Sequence, residues 1–298
     1  MAIPEAQLDT WSHQGSITQS SDTYATVRRS LEASTAAYAN RGLKVFLQGS
    51  YGNDTNIYSE SDVDVVIRLD DTFYYDISAL SAAEQGALHS AFDGTATYSY
   101  SAFKTDVVAA LRASFGSDVN VGTKAVTIAA SGGRRKSDVI VSTEFRRYRS
   151  YSVSQRDDYV SGICFFTNAG DHVANYPRQH AENLTEKHRA GSQWLKPTIR
   201  VLKNIRRRME TDGLITAGLA PSYFLEGLLY NVPNGKFGSS YERTMVEVVN
   251  WLTAVDRAPF VCANEEYYLL RDAAHVCWRP ADCDRFLGAL VKCWKDWA

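Results

Sequence analysis

The chain has 298 residues, 45% hydrophobic and 12% aromatic, with 22% charged residues, a formal net charge of -2 and a pI of about 6.3. That length holds one large domain or two intimate ones with a sizeable core, and the balanced charge excludes the overall cationic field that drives sequence-independent nucleic-acid binding. No run reaches the ~18 apolar residues of a membrane span, and Met1-Ala2-Ile3-Pro4-Glu5 lacks a basic segment leading into an apolar one, so the expected location is the cytoplasm.

From about Ser20 to Asn40 the spacing of Tyr24, Val27, Leu31 and Tyr38 predicts a helix, stopped by Gly42. Val45-Phe46-Leu47 reads as a short strand that ends at Gly49-Ser50, and the polar, Gly-bearing stretch Tyr51 to Glu60 reads as a loop or a short distorted helix. Asp62 to Leu69 is β-branched and bounded by polar clusters, hence a buried strand. Successive strand side chains point to opposite faces, so Asp62 and Asp64 share one side while Val63 and Val65 enter the other.

Two further helices are expected from Ser81 to Phe92 and from Lys104 to Phe115. A hairpin follows, pairing 124–128 with 137–141 across Ser131-Gly132-Gly133-Arg134, and it places a third acid, Asp138, at the start of another apolar strand. A carboxylate there is costly to bury without a cationic partner. With Asp62 and Asp64 on a neighbouring strand, the three acids suit a divalent metal, which takes several oxygen ligands.

Between Tyr151 and Ser192 periodicity fades, apart from strand-like Gly162-Ile163-Cys164-Phe165-Phe166; His172, His180 and His188 are read as surface or packing residues. From Trp194 to Met209 a helix returns, with Lys196, Arg200, Lys203 and Arg207 on one face as a cationic stripe, whereas Arg206-Arg207-Arg208 reads as a solvated run. Pro221-Ser222 opens the next helix and sets a hydroxyl beside its free N–H groups. The remainder is amphipathic helix. Five cysteines without a Cys-x-x-Cys pair are expected to be free thiols, and His275, Cys277, Cys283 and Cys293 match no common zinc spacing.

A metal pair held by Asp62, Asp64 and Asp138, with Gly49 permitting close approach of a triphosphate and Ser50 donating to it, is what phosphoryl transfer without a side-chain nucleophile needs. The order Gly-Ser, Asp-x-Asp and a later strand acid resembles the polymerase-β-like nucleotidyltransferase superfamily. Within it, Gln48-Gly49-Ser50-Tyr51, Ser61-Asp62-Val63-Asp64, Asn175-Tyr176-Pro177, Val201-Leu202-Lys203 and Pro221-Ser222-Tyr223-Phe224-Leu225-Glu226 are similar to the bacterial cGAS/DncV-like enzymes, the CD-NTases of CBASS antiphage systems.

The resemblance implies an α+β fold, with a mixed sheet and flanking helices over residues 1–190 and a helical domain over 191–298 closing the active-site cleft. It implies that Asp62, Asp64 and Asp138 bind two Mg2+ or Mn2+ ions, with Asp138 nearest the attacking hydroxyl. Gln48, Gly49 and Ser50 would hold the donor nucleotide, Lys203 its phosphates, Ser222 would add a second hydroxyl and Tyr223 would stack on a base. Lys196 joins this set through the stripe, although Pro197 disturbs its turn. The implied activity is a cyclic dinucleotide synthase using ATP and GTP or other NTPs, with a cyclic GMP-AMP as the first expectation. Its implied partners are a separate effector activated by the product and, through Ala298, a C-terminal conjugation machinery; neither a membrane nor stable duplex nucleic acid is expected to bind. The rival expectations are transfer to an RNA, protein or small-molecule acceptor, and a non-catalytic nucleotide sensor.

Overall fold

The computed structural model describes residues 2–15, 17–58, 62–92, 94, 96–154, 158–272 and 276–297. His275, Ala298 and Ser61, invoked above for zinc binding, conjugation and the acid motif, lie outside the described residues. Two compact units emerge, one made of residues 18–48 and 62–177, the other of 1–17, 49–61 and 178–298. This grouping differs from a single cut after 190 by assigning 1–17, 49–61 and 178–190 to the helical unit.

The first unit holds one mixed seven-stranded sheet: β1 (Leu43–Leu47), β2 (Val63–Asp76), β3 (Val119–Val121), β4 (Val126–Ile128), β5 (Ser137–Ser150), β6 (Asp158–Phe166) and β7 (His172–Asn175). The order is β1-β2-β5-β4-β3, with β6 also pairing β5 and β7 pairing β6. Only β2 and β5 run parallel; the other pairs are antiparallel. The expected hairpin is present, with Val126 opposite Val139 and Thr127 opposite Asp138, and Gly132 and Gly133 take the φ of +56° and +88° that its turn requires.

Alternation decides what each strand face does. Val63, Val65, Ile67 and Leu69 of β2 and Val139 and Val141 of β5 are buried in one apolar cluster with Val27 and Leu31 of α2 (Thr18–Leu31) and Phe103, Val107 and Leu111 of α5 (Tyr100–Phe115). At ~1.5–3 kcal/mol per fully buried side chain, this face dominates the unit's stability. The even-numbered residues, Asp64 and Asp138 among them, therefore face the other way. The helix expected to run to Asn40 ends at Leu31; beyond it the chain turns through three-residue steps such as Ala36 N–H to Ala33 O, yet Tyr38 is still delivered to the core. Between β2 and α5, α4 (Ala82–Ala91) starts from a capping box of Ser81 and Glu84.

The second unit is helical: α1 (Glu5–Ser12), the single turn α3 (Gly49–Gly52), α6 (Pro177–Ala190, from Arg178 onward), α7 (Leu195–Thr211), α8 (Ser222–Tyr230), α9 (Tyr241–Ala254) and α10 (Pro280–Lys295). It has its own core, in which Ile199, Leu202 and Ile205 of α7 meet Leu225, Leu228 and Leu229 of α8 and Phe286, Leu287 and Leu290 of α10. Pro197 falls in the first turn of α7, where its missing N–H costs no helical bond, and Thr198 N–H reaches Trp194 O at 3.1 Å. No helix among the described residues is long and apolar enough to cross a membrane.

Candidate active site

In the sheet unit, Asp64 and Asp138 are partners in the parallel register of β2 and β5, side by side on the face opposite the apolar core. Asp62 stands one residue before β2. Lys136, one residue before β5, is pinned through its carbonyl, which accepts from Val63 N–H at 3.0 Å. Its ammonium reaches across the strand ends to Asp62 Oδ2 at 2.5 Å and Asp138 Oδ2 at 3.2 Å. The hydrogen bond to Asp62 leads the effects that raise the Lys136 pKa above its ordinary value, against the opposing pull of burial. The other oxygen of Asp138 accepts from Thr127 Oγ1 at 2.6 Å, which fixes the carboxyl's rotamer.

These carboxylates are hard oxygen donors of the kind Mg2+ or Mn2+ prefers, and they already hold a cation between them. Among the described residues no three His, Cys, Asp or Glu side chains converge to metal-ligand range. The donor chemistry fits a divalent ion, while the spacing is that of carboxylates drawn around an ammonium.

The helical unit carries the other expected residues apart from Gln48, which belongs to the sheet unit. Gly49 adopts φ +66°, a conformation that suits glycine, and opens the single turn α3, closed by Asn53 N–H to Gly49 O at 3.0 Å and Thr55 N–H to Ser50 O at 2.8 Å. Gln48, one residue past β1, donates its N–H to Asp64 O at 3.0 Å. Ser222 is the first residue of α8, and Arg206 Nη1 donates to Ala220 O at 2.8 Å and Ser222 Oγ at 3.4 Å. Arg206, expected in a solvated run, is thus buried beneath the start of α8.

Lys203, expected to hold the donor phosphates, is 0% exposed and directs its three hydrogens to Thr55 O at 3.1 Å, Thr55 Oγ1 at 3.2 Å and Glu226 Oε1 at 2.9 Å. Glu226 is the hub: Thr55 Oγ1 donates to Oε1 at 2.5 Å, Asn53 Nδ2 to Oε2 at 3.0 Å, and His180 Nε2 lies 2.7 Å from Oε2. Burial alone would raise this carboxyl's pKa, but the Lys203 charge together with His180 and Thr55 holds it well below the usual carboxylate range. Lys196 is likewise committed, to Asp54 Oδ2 at 3.0 Å and Thr185 Oγ1 at 3.1 Å, and Arg200 binds the carbonyls of Asp54 and Ser12. Three cations of the α7 stripe, Lys196, Arg200 and Lys203, therefore clamp Asp54 and Thr55 within the unit.

Tyr223, expected to stack on a base, stacks on His180 with ring centroids 4.8 Å apart and planes at 21°, and its hydroxyl accepts from Asn264 Nδ2 at 3.0 Å. The sequence pattern assigns no role to Glu226, Asn53 or Lys136, and His180, expected at the surface or in packing, is buried against Glu226. Glu226 carried a signal, since an acid inside the apolar run Phe224 to Leu229 needs a buried partner.

Residues 182–295 match the cGAS/DncV-like nucleotidyltransferase C-terminal helical domain. Over all of this chain and 99% of its own length, the cyclic UMP-AMP synthase of Rhodothermus marinus is 36% identical, and the cyclic nucleotide synthase CdnE01 of Staphylococcus haemolyticus is 35% identical over the full length of both. The solved Rhodothermus marinus structure with Apcpp and Upnpp superposes with a TM-score of 0.88 over 99% of this chain and 98% of that one, at 35% identity. The Elizabethkingia meningoseptica CdnE cyclic dinucleotide synthase with GTP and Apcpp gives 0.76 at 28% identity, over 98% of each.

Proposed function

The chain belongs to the cGAS/DncV-like nucleotidyltransferases, and on that premise we propose that it joins nucleoside triphosphates into a cyclic oligonucleotide second messenger of antiphage defence. The observation that carries this reading is the parallel register of Asp64 with Asp138, with Asp62 tied to Asp138 through one cation. Asp62, Asp64 and Asp138 would hold two Mg2+ or Mn2+ ions, which when bound neutralise the triphosphate and acidify the attacking ribose hydroxyl. Asp138, whose carboxyl Thr127 orients, would lie nearest that hydroxyl, and Gly49 and Ser50 would offer a backbone N–H and a hydroxyl to the triphosphate.

Two transfers, each releasing pyrophosphate, make a linear dinucleotide and then close it or extend it. Both nucleotide-bound relatives described above carry an adenine nucleotide analogue, so ATP is proposed as one substrate; their second nucleotides differ, and the cyclic GMP-AMP expectation is retained as one member of that range. The messenger would act in the cytoplasm on a separate effector, and conjugation of the C-terminus would be a second layer of control.

Pure protein incubated with the four NTPs and Mg2+ or Mn2+, with no polymer present, should yield a phosphatase-resistant product whose mass gives its bases and ring size. Nucleotide consumed only after RNA, protein or a small acceptor is added contradicts the proposal.

A further inference from the structure

Lys136 occupies the place between the carboxylates where the proposed chemistry needs a metal. Its Nζ lies 2.5 Å from Asp62 Oδ2 and 3.2 Å from Asp138 Oδ2, while Thr127 holds the opposite oxygen of Asp138 at 2.6 Å. Asp138 thus divides its oxygens, one anchored to the sheet and one turned to a cation. Three carboxylates on adjacent strand ends repel one another, and an ammonium among them relieves that repulsion as a metal would. The Lys136 backbone is fixed against β2, yet its side chain remains 41% exposed, so the ammonium can leave without disturbing the strand pairing.

We infer that Lys136 is the resident counter-cation of this carboxylate edge: it holds Asp62 and Asp138 in the metal-free protein and is displaced by the incoming divalent ion, so it sets how tightly metal is taken. An ammonium and a divalent cation cannot share the Asp62 and Asp138 oxygens, because their like charges would lie within a few ångströms with little water between them. Lys136 is therefore a positioning residue that competes with the metal, and the inference rests on the reading that these acids hold it.

The test is a titration with Mn2+ alone, followed by calorimetry or by the electron paramagnetic resonance of free ion, on wild type, Lys136→Met, Lys136→Arg and Asp64→Asn. Lys136→Met should lower the Mn2+ half-saturation concentration about three- to tenfold, the range that one or two half-exposed ion pairs support, and Lys136→Arg should stay near wild type. Melting in EDTA should occur at a lower temperature for Lys136→Met than for wild type, with the gap closing in saturating Mn2+. Unchanged Mn2+ affinity in Lys136→Met, or an equal shift in Lys136→Arg, overturns the counter-cation role. Wild type and Asp64→Asn binding Mn2+ equally would instead overturn the metal assignment beneath it.

Discussion

Two clusters in this protein are built from the same groups, a lysine ammonium among carboxylate and threonine oxygens, and they differ in access to water. In the helical unit Lys203 and Glu226 meet at 2.9 Å, and Lys203, Thr55, Glu226, His180 and Asn53 are each 4% exposed or less. In the sheet unit Lys136 meets Asp62 at 2.5 Å and Asp138 at 3.2 Å, with 41% of the lysine and 46% of Asp62 still exposed. The first cluster is closed, its hydrogens spent on fixed neighbours. The second is open, and an open cation site is one that a ligand can enter.

The sharpest way to break this contrast is to remove one side of each pair. Glu226→Ala strands a buried ammonium and should cost about 3–5 kcal/mol of unfolding free energy, measured by urea denaturation. Equal losses from Glu226→Ala and Lys136→Met would erase the distinction. Acid should separate the clusters next. The Glu226 pKa is depressed in the fold, so its contribution is complete above the unfolded carboxyl value of ~4.3 and is lost as pH falls below that toward the folded value. Denaturation repeated between pH 6 and 3, in steps of about one unit, should therefore show a flatter acid limb for Glu226→Gln than for wild type.

Lys136→Met should change stability at neutral pH by about 1 kcal/mol or less, as exposed pairs do. A smaller effect still concerns the thiols. Burial pushes Cys164, Cys262 and Cys283 up to about 12, so they should resist alkylation in the native protein and react once it is unfolded, with half-buried Cys277 labelling earlier.

The sheet was readable because a period of two carries its own geometry: once Val63, Val65 and Ile67 face the core, Asp62 and Asp64 must face away, and the same holds for Asp138 beside Val139. Helical periodicity proved less informative. It placed Lys196, Arg200 and Lys203 on one face of α7 correctly, but not what that face meets. The partners, Asp54, Thr55 and Glu226, come from a segment some 150 residues earlier and from the next helix. The amphipathic helix α6 escaped notice because His180 and Leu184 alone mark its buried side amid polar residues. Lys136 looked like any lysine at a strand start until the register of β2 and β5 set it between two acids.

The most direct measurement compares wild type with Asp62→Asn/Asp64→Asn, confirmed as folded by circular dichroism, in a reaction of NTPs with Mg2+ or Mn2+ read by mass spectrometry. A cyclic product from wild type and none above background from the double variant is the expected result. Undiminished synthesis by the folded double variant would contradict the assignment of the carboxylate edge as the catalytic centre.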